Sequence, residues 1–241
     1  FDFFILRAGQ KLERGTEDRE VCLVMVSGKG KVETKHESWS NLDNRMCIFP
    51  DNLGSKSNAP YAVYVPNNDH FSVEAETELE LAVCSAPGKG NFGARLIKPE
   101  NMTYEKRGHG TNTRYVRNIL PEEAEADSLL VVEVVTPNGN WSSYPPHKHD
   151  SNNIPDESYL EETYYHRINP PQGFAFQRVY TDDRSIDQTM TVHDHDVVLV
   201  PRGYHPVGAP HGYDLYYLNV MAGPSRVWRF SNDPKHEWIV K

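Results

Sequence analysis

Two histidines two positions apart, His147 and His149, follow a Pro145-Pro146 pair that rules out a helix at this point. In an extended chain, positions i and i+2 point to one face about 7 Å apart, so two imidazole nitrogens can converge on one ion at about 2.0 to 2.1 Å. A His-x-His in a strand is therefore half of a metal site. The run from Glu161 to Ile168 (EETYYHRI), rich in aromatics and closed by Pro170 and Pro171, reads as a strand that can add a carboxylate. Alternation puts Glu162, Tyr164 and His166 on one face of it, and Glu161, Thr163 and Tyr165 on the other. Further on, Val197 to Val200 forms an apolar strand, Pro201-Arg202-Gly203 a turn, and His205 delivers a third imidazole. His147, His149, Glu162 and His205 thus make a candidate site for one divalent metal ion per chain. Zinc, manganese, iron and nickel all accept this donor set.

The elements that must position these groups are strands. Short apolar runs (VCLVMVS, YAVYVP, LELAVCSA, LLVVEVVT, VVLVP, YDLYYLNVM) recur between Gly, Pro, Asn and Asp turns, and helical periodicity is scarce. The expected fold class is all-β, with antiparallel barrel or jelly-roll domains. The halves echo each other: Val63-Tyr64-Val65-Pro66 with His70 parallels Val198-Leu199-Val200-Pro201 with His205, and Glu20 before CLVMVSG parallels Glu162. No His-x-His precedes Glu20. We therefore expect two domains: residues 1–105, a degenerate barrel without metal in which His70 is an ordinary histidine, and residues 106–241, which hold the site and a connecting segment. That segment could fold over the second barrel and present Arg107, His109 or Arg114 to an acidic substrate. His193-Asp194-His195-Asp196 reads as a hairpin turn and not as a second metal site.

Composition narrows the class. With 25 basic and 34 acidic residues the formal net charge is −9, and no Lys/Arg cluster exists to neutralise phosphates, so no nucleic-acid partner is expected. No apolar run reaches 18 residues, so no membrane span is expected. Neither is a signal peptide, although the sequence begins at Phe1 without a Met. Cys22, Cys47 and Cys84 read as buried, reduced thiols of a cytoplasmic protein.

His-x-His, a glutamate opening a strand, a Pro-x-Gly turn and a third histidine resemble the two-motif metal signature of the cupin barrels. The longer stretches GNWSSYPPHKHD, LEETYYHRINPPQGFAFQRVYTDD, VLVPRGYHPVGAPHGYDLYYLNVMAG and DPKHEW closely resemble the 5-deoxy-glucuronate isomerase family of myo-inositol catabolism. REVCLVMVSGKGKV and ELAVCSAPG extend the resemblance over nearly the whole chain. It departs from the general cupin pattern in two places. The gap from His149 to the glutamate is long, which leaves Glu157 and Glu161 as rivals of Glu162, and the Pro201-to-His205 spacing is one residue short.

The resemblance implies a bicupin whose second barrel binds metal and isomerises an aldose to a ketose, 5-deoxy-glucuronate becoming 5-dehydro-2-deoxy-gluconate. Its partner is then a small sugar acid; homo-oligomerisation is left open. An enediol route needs a base, for which His166 is the candidate, with Tyr164 bonding a substrate oxygen. The substrate carboxylate calls for a guanidinium: Arg178 or Arg114 first, with Arg202 and Arg226 behind them. Gln177 and Arg178 face opposite ways, so only one lines the barrel. Tyr217 and Asn219 share one phase of their strand and are expected to face a wet interior, while Lys148 points away from the metal face. Two rival readings of such a barrel are an iron(II) cupin dioxygenase and a sugar-acid-binding cupin without turnover.

Overall fold

The computed structural model describes residues 1–43 and 45–240. As expected, the architecture is all-β: antiparallel strands and three 3-10 turns, Pro99–Asn101, Gly110–Asn112 and Glu237–Val240. No helix among the described residues is long and apolar enough to cross a membrane. The chain divides into two compact units, Phe1–Thr103 with Arg117–Val131, and Tyr104–Val116 with the chain from Val132 onward. The points of division fall within the strands Thr103–Arg107, Arg114–Leu120 and Leu129–Thr136.

The first unit has a five-stranded sheet in the order Asp2–Leu6, Leu79–Pro87, Arg19–Ser27, Ala62–Val65, Arg95–Ile97, and a four-stranded one in the order Lys11–Gly15, His70–Ala75, Gly30–Thr34, Ser38–Leu42. Alternation builds its core: Val21, Leu23 and Met25 meet Val32, Phe71, Val73 and Leu81 in one buried cluster. Cys22 and Cys84 face each other on paired strands as buried cysteines outside any disulfide. Cys47, expected to be buried with them, is exposed, because it lies in an irregular stretch rather than in an apolar strand.

Glu20 is completely buried, and its carboxylate is met by donors alone. It accepts the Tyr64 hydroxyl at 2.6 Å and the backbone amides of Asp127, Ser128 and Leu129 at 2.7, 2.6 and 2.6 Å. Four donors to one buried anion satisfy it and fasten residues 127–129 within the unit.

The second unit is organised around the strand Glu161–Asn169, which pairs with Val197–Val200 on one side and Asp214–Ala222 on the other. The pairing sets Glu162 opposite Met221, Tyr164 opposite Asn219 and His166 opposite Tyr217, so directly paired residues put all six side chains on one face. A second sheet runs Trp141–Ser142, Val207–Gly208, Ala175–Tyr180, Asp187–Val192. His166 Nε2 and Gln177 Oε1, 2.9 Å apart and both side chains fully buried, link the two sheets through the interior.

Replacing Glu20 by Ala would orphan two buried amides, a part-buried one and a phenol. We expect a loss of about 3 kcal/mol or more, which lowers the thermal midpoint by about 10 °C while metal content stays unchanged. A midpoint within about 2 °C of wild type would show that these bonds contribute little.

Candidate metal centre

Each donor reaches the site on its own backbone device. His147 starts the two-residue strand His147–Lys148, which pairs with Ser231–Asn232, and His149 follows it. Glu162 is the second residue of its strand, between Val200 and Met221. His205 follows a turn at Gly203, which has φ +93° and where a Cβ would lie 2.5 Å from the Tyr180 carbonyl oxygen. Only glycine fits both conditions.

One nitrogen each of His149 and His205 and one carboxylate oxygen of Glu162 lie within 4.8 Å of one another, and all three side chains are buried. No other group of three such donors gathers among the described residues. His149 Nδ1 donates to the Leu160 carbonyl at 3.0 Å, and His205 Nδ1 donates to the Gly203 carbonyl at 2.8 Å. These bonds set both tautomers, so each Nε2 presents a lone pair. Both Nε2 atoms lie 3.1 Å from the same Glu162 oxygen, Oε2.

Three acceptors facing one another in a buried place repel unless a cation stands among them. One proton can serve one pair: burial opposes a charge on His149, and Glu162 outweighs it and raises the His149 pKa. It cannot serve the second. His205 Nε2 has no hydrogen-bond partner, and burial lowers its pKa. Donors about 2.1 Å from one ion sit about 3.0 to 3.4 Å apart, so the 3.1 Å spacings fit a metal ion. Burial also works against an ionised Glu162, but His205, His149 and a hydrogen bond from Asn219 prevail and bring its pKa to about 2.

His147 stands beside this group. Its ring centroid is 4.9 Å from that of His205, 6.4 Å from that of His149 and 4.6 Å from that of Phe230. Burial, then His205 and His149, push its pKa well down. With Glu162 it lines a cavity whose polar wall includes Arg114, Tyr164, Tyr217 and Asn219, with Arg107 and Trp228 adjoining. Tyr164 shares a 2.9 Å hydrogen bond with Ser143, and Tyr217 one of 2.6 Å with Ser142.

The structure separates the other candidates. Glu157 is occupied by Lys148 Nζ at 3.0 Å and by the amides of Asp150 and Ser151, and Glu161 is exposed on the opposite face of its strand. Lys148 also pairs with Asp150 at 2.8 Å. Gln177 turns inward to His166, which leaves Arg178 outside in a bidentate pair with Asp187. His166 is not on the cavity wall: its ring lies 5.8 Å behind that of Tyr164, and burial lowers its pKa to about 4. Arg202 is exposed, and Arg202, Arg226 and His109 do not line the cavity. In the His193–Asp196 turn, Asp194 accepts from Arg167 and from the Ile168 amide, and His195 bonds Tyr165. His70 is exposed on a shallow groove of about 470 Å³ in the first unit. That groove is larger than the metal-side cavity but carries mixed charges and no donor cluster. Sequence reasoning missed Ser142, Ser143, Trp228 and Phe230; the two serines sit just ahead of the Pro-Pro-His motif, whereas nothing in the pattern marked the aromatic pair.

A family model described as the KduI/IolB family matches residues 1–239. The chain is 60% identical over 241 residues to the 5-deoxy-glucuronate isomerase of Geobacillus thermodenitrificans, which covers 100% of this chain and 86% of that protein. The crystal structure of an IolB-like protein from Salmonella typhimurium matches with a TM-score of 0.93 and 51% identity, covering 100% of this chain and 89% of that one. An oxalate decarboxylase of Lactobacillus farciminis in a formate complex matches at TM-score 0.63 and 12% identity, covering 97% and 78%. This last likeness is one of fold, the bicupin expected from the sequence.

Alanine at His149, Glu162 or His205 should abolish stoichiometric metal in elemental analysis of folded protein, whereas Glu157→Ala, Glu161→Ala and His70→Ala should retain it. Metal kept by Glu162→Ala and lost by Glu157→Ala would reverse the assignment. A second expectation concerns acid. His166 has a folded pKa of about 4, below the ordinary value near 6.5, so the unfolded chain binds its proton first and stability falls as pH drops from about 6.5 to about 4. The size of this loss is about 3 kcal/mol, and His166→Gln should show a correspondingly flatter acid limb in urea titrations.

Proposed function

The chain belongs to the KduI/IolB family, and from that premise we propose that it converts 5-deoxy-glucuronate to 5-dehydro-2-deoxy-gluconate, an aldose-to-ketose isomerisation of myo-inositol catabolism. The observation that carries the reading is a buried convergence of His149, His205 and Glu162 that opens onto a polar cavity. His149, Glu162 and His205, with His147 as fourth donor, would hold one divalent cation. Bound there, the ion supplies Lewis acidity toward the substrate's adjacent oxygens, worth several kcal/mol. Zinc, manganese, iron and nickel all suit these donors. The first domain is proposed to bind none, because every approach to Glu20 is already filled by a donor.

The remaining work falls to the wall. Burial, then Glu162, push the Tyr164 pKa well up, so its phenol keeps its proton and can donate to an oxygen on which charge develops. Asn219 uses Nδ2 to hold Glu162, while its buried Oδ1 has no partner and is available to a substrate hydroxyl. His166, the base expected from alternation, sits behind Tyr164. Every imidazole or carboxylate that faces the cavity, His147 and Glu162, belongs to the proposed ligand set. With no spare base on the wall among the described residues, transfer of a hydride from the hydroxyl-bearing carbon to the aldehyde carbon, with the hydroxyl proton passing to the former aldehyde oxygen, is favoured over an enediol.

An NMR time course with 5-deoxy-glucuronate should show aldehyde hydrate and hemiacetal signals giving way to a ketone. Turnover in D₂O should leave the new CH₂OH carbon without deuterium. His166→Gln should keep its metal and lose less than about 10-fold in kcat, whereas removal of a general base costs about 10² or more. Deuterium in the product together with a 10²-fold loss in His166→Gln would restore the enediol route with His166 as base.

A further inference from the structure

The cavity wall carries two guanidiniums, and only one of them is committed to a carboxylate. Arg107 pairs with Glu105 at 2.5 Å and lies over the Trp228 ring at 5.5 Å. Arg114 makes no direct ion pair among the described residues; Glu105, already paired with Arg107, acts on it only at longer range. Its Nη1 donates to the Asn112 carbonyl at 3.0 Å and to Asn112 Oδ1 at 3.1 Å, and its remaining donors are left for a guest. The seat is built for this side chain. Asn112 is pinned by its own Nδ2 bond to the Tyr144 carbonyl at 3.0 Å. Gly108, at φ +72°, leaves room that a Cβ would take from Asn112 and from Arg114 Nη1.

Half-buried, with the like-charged Arg107 beside it and the Glu105 carboxylate already engaged by Arg107, Arg114 is held where an anion bonded directly to it would relieve it. Tyr217 is an electrostatic neighbour of Arg114 on the same cavity wall, and the Tyr217 ring is 4.8 Å from that of Tyr164, which lies 5.8 Å from that of His205. A floor of two tyrosines therefore runs from the guanidinium to the metal group. A six-carbon chain with reacting oxygens at one end and a carboxylate at the other matches that layout in charge and order.

Resting on the isomerase reading above, we infer that Arg114 is the specificity-determining residue: it clamps the carboxylate far from the reacting carbons, so the site takes uronates and rejects neutral aldoses. A planar fork can bind both carboxylate oxygens at once, and lysine at this position cannot.

The test compares 5-deoxy-glucuronate with 5-deoxy-glucose, whose CH₂OH replaces the carboxylate, in wild type, Arg114→Gln and Arg114→Lys. Calorimetric binding of D-glucuronate and D-glucose to the metal-loaded proteins provides a readout without turnover. A charged hydrogen-bonded pair of this kind is worth about 10- to 100-fold. Arg114→Gln should therefore raise KM for the uronate, and weaken glucuronate binding, by about that factor. Activity on the neutral sugar should stay within about 3-fold and metal content unchanged, with Arg114→Lys intermediate. Parallel losses on both sugars, or an unchanged uronate KM, would overturn the clamp and leave the isomerase reading standing. Wild type that fails to isomerise the uronate but binds glucuronate through Arg114 would do the reverse. Neither turnover nor Arg114-dependent binding would overturn both.

Discussion

Two imidazole nitrogens are each held 3.1 Å from one carboxylate oxygen in the protein interior, all three being electron-pair donors, and the second unit is arranged around that unfavourable contact. Burial denies these groups water, and their lone pairs repel. They stay together because none is free to turn away. The Leu160 and Gly203 carbonyls hold the outer nitrogens of His149 and His205, and Asn219 holds the second oxygen of Glu162. A cation entering such a site meets donors already oriented, so little of its binding energy is lost in ordering them.

The scaffold behind these contacts is itself tied together by charge. Lys148 lies between Asp150 and Glu157, and the other oxygen of Asp150 accepts the Gly203 amide at 2.8 Å. Gly203 then receives the His205 ring proton on its carbonyl. One lysine thus couples the loop that carries His149 to the turn that carries His205. Its two carboxylate partners shield it, with both members of the Lys148–Glu157 pair mostly buried, so the pair orders the site more than a solvent-exposed pair could. This explains an apparent anomaly of the sequence. The long gap between His149 and Glu162 contains a small antiparallel ribbon, Asp150–Asn153 with Glu157–Tyr159, which is where Lys148 finds its anchor.

Strand periodicity made much of this legible beforehand. A period of two put Glu162, Tyr164 and His166 on one face and joined Tyr217 to Asn219, and the register bears both out. The same rule could not choose between Gln177 and Arg178, because either phase was consistent with a strand; a buried hydrogen bond to His166 decided it. It also could not say how deep a side chain lies. His166 shares a face with Glu162 and yet ends behind Tyr164, because a barrel interior has depth as well as sidedness. The arginines were the least legible. A guanidinium's role depends on whether a carboxylate has already claimed it, and the partners Asp187 for Arg178 and Glu105 for Arg107 are fixed by local pairings that composition does not reveal. Trp228 and Phe230 reach the site from a stretch of irregular chain that no periodic pattern points to.

The two glutamates that echo each other in the sequence show how one strand position can serve opposite ends. Glu20 and Glu162 are both buried near the start of a long central strand. What differs is the sign of their surroundings. Around Glu20 the four partners are donors, so its charge is solvated by the protein itself. Around Glu162, Oε1 has a donor while Oε2 faces two imidazole nitrogens that a single proton cannot serve together, so part of its charge is left for something from outside. A buried carboxylate is costly in either setting. In the first unit the four hydrogen bonds offset that cost and fasten the chain. In the second the cost is left partly unmet, and that residual demand for positive charge is what fits the position to hold a cation where Glu20 serves as a staple.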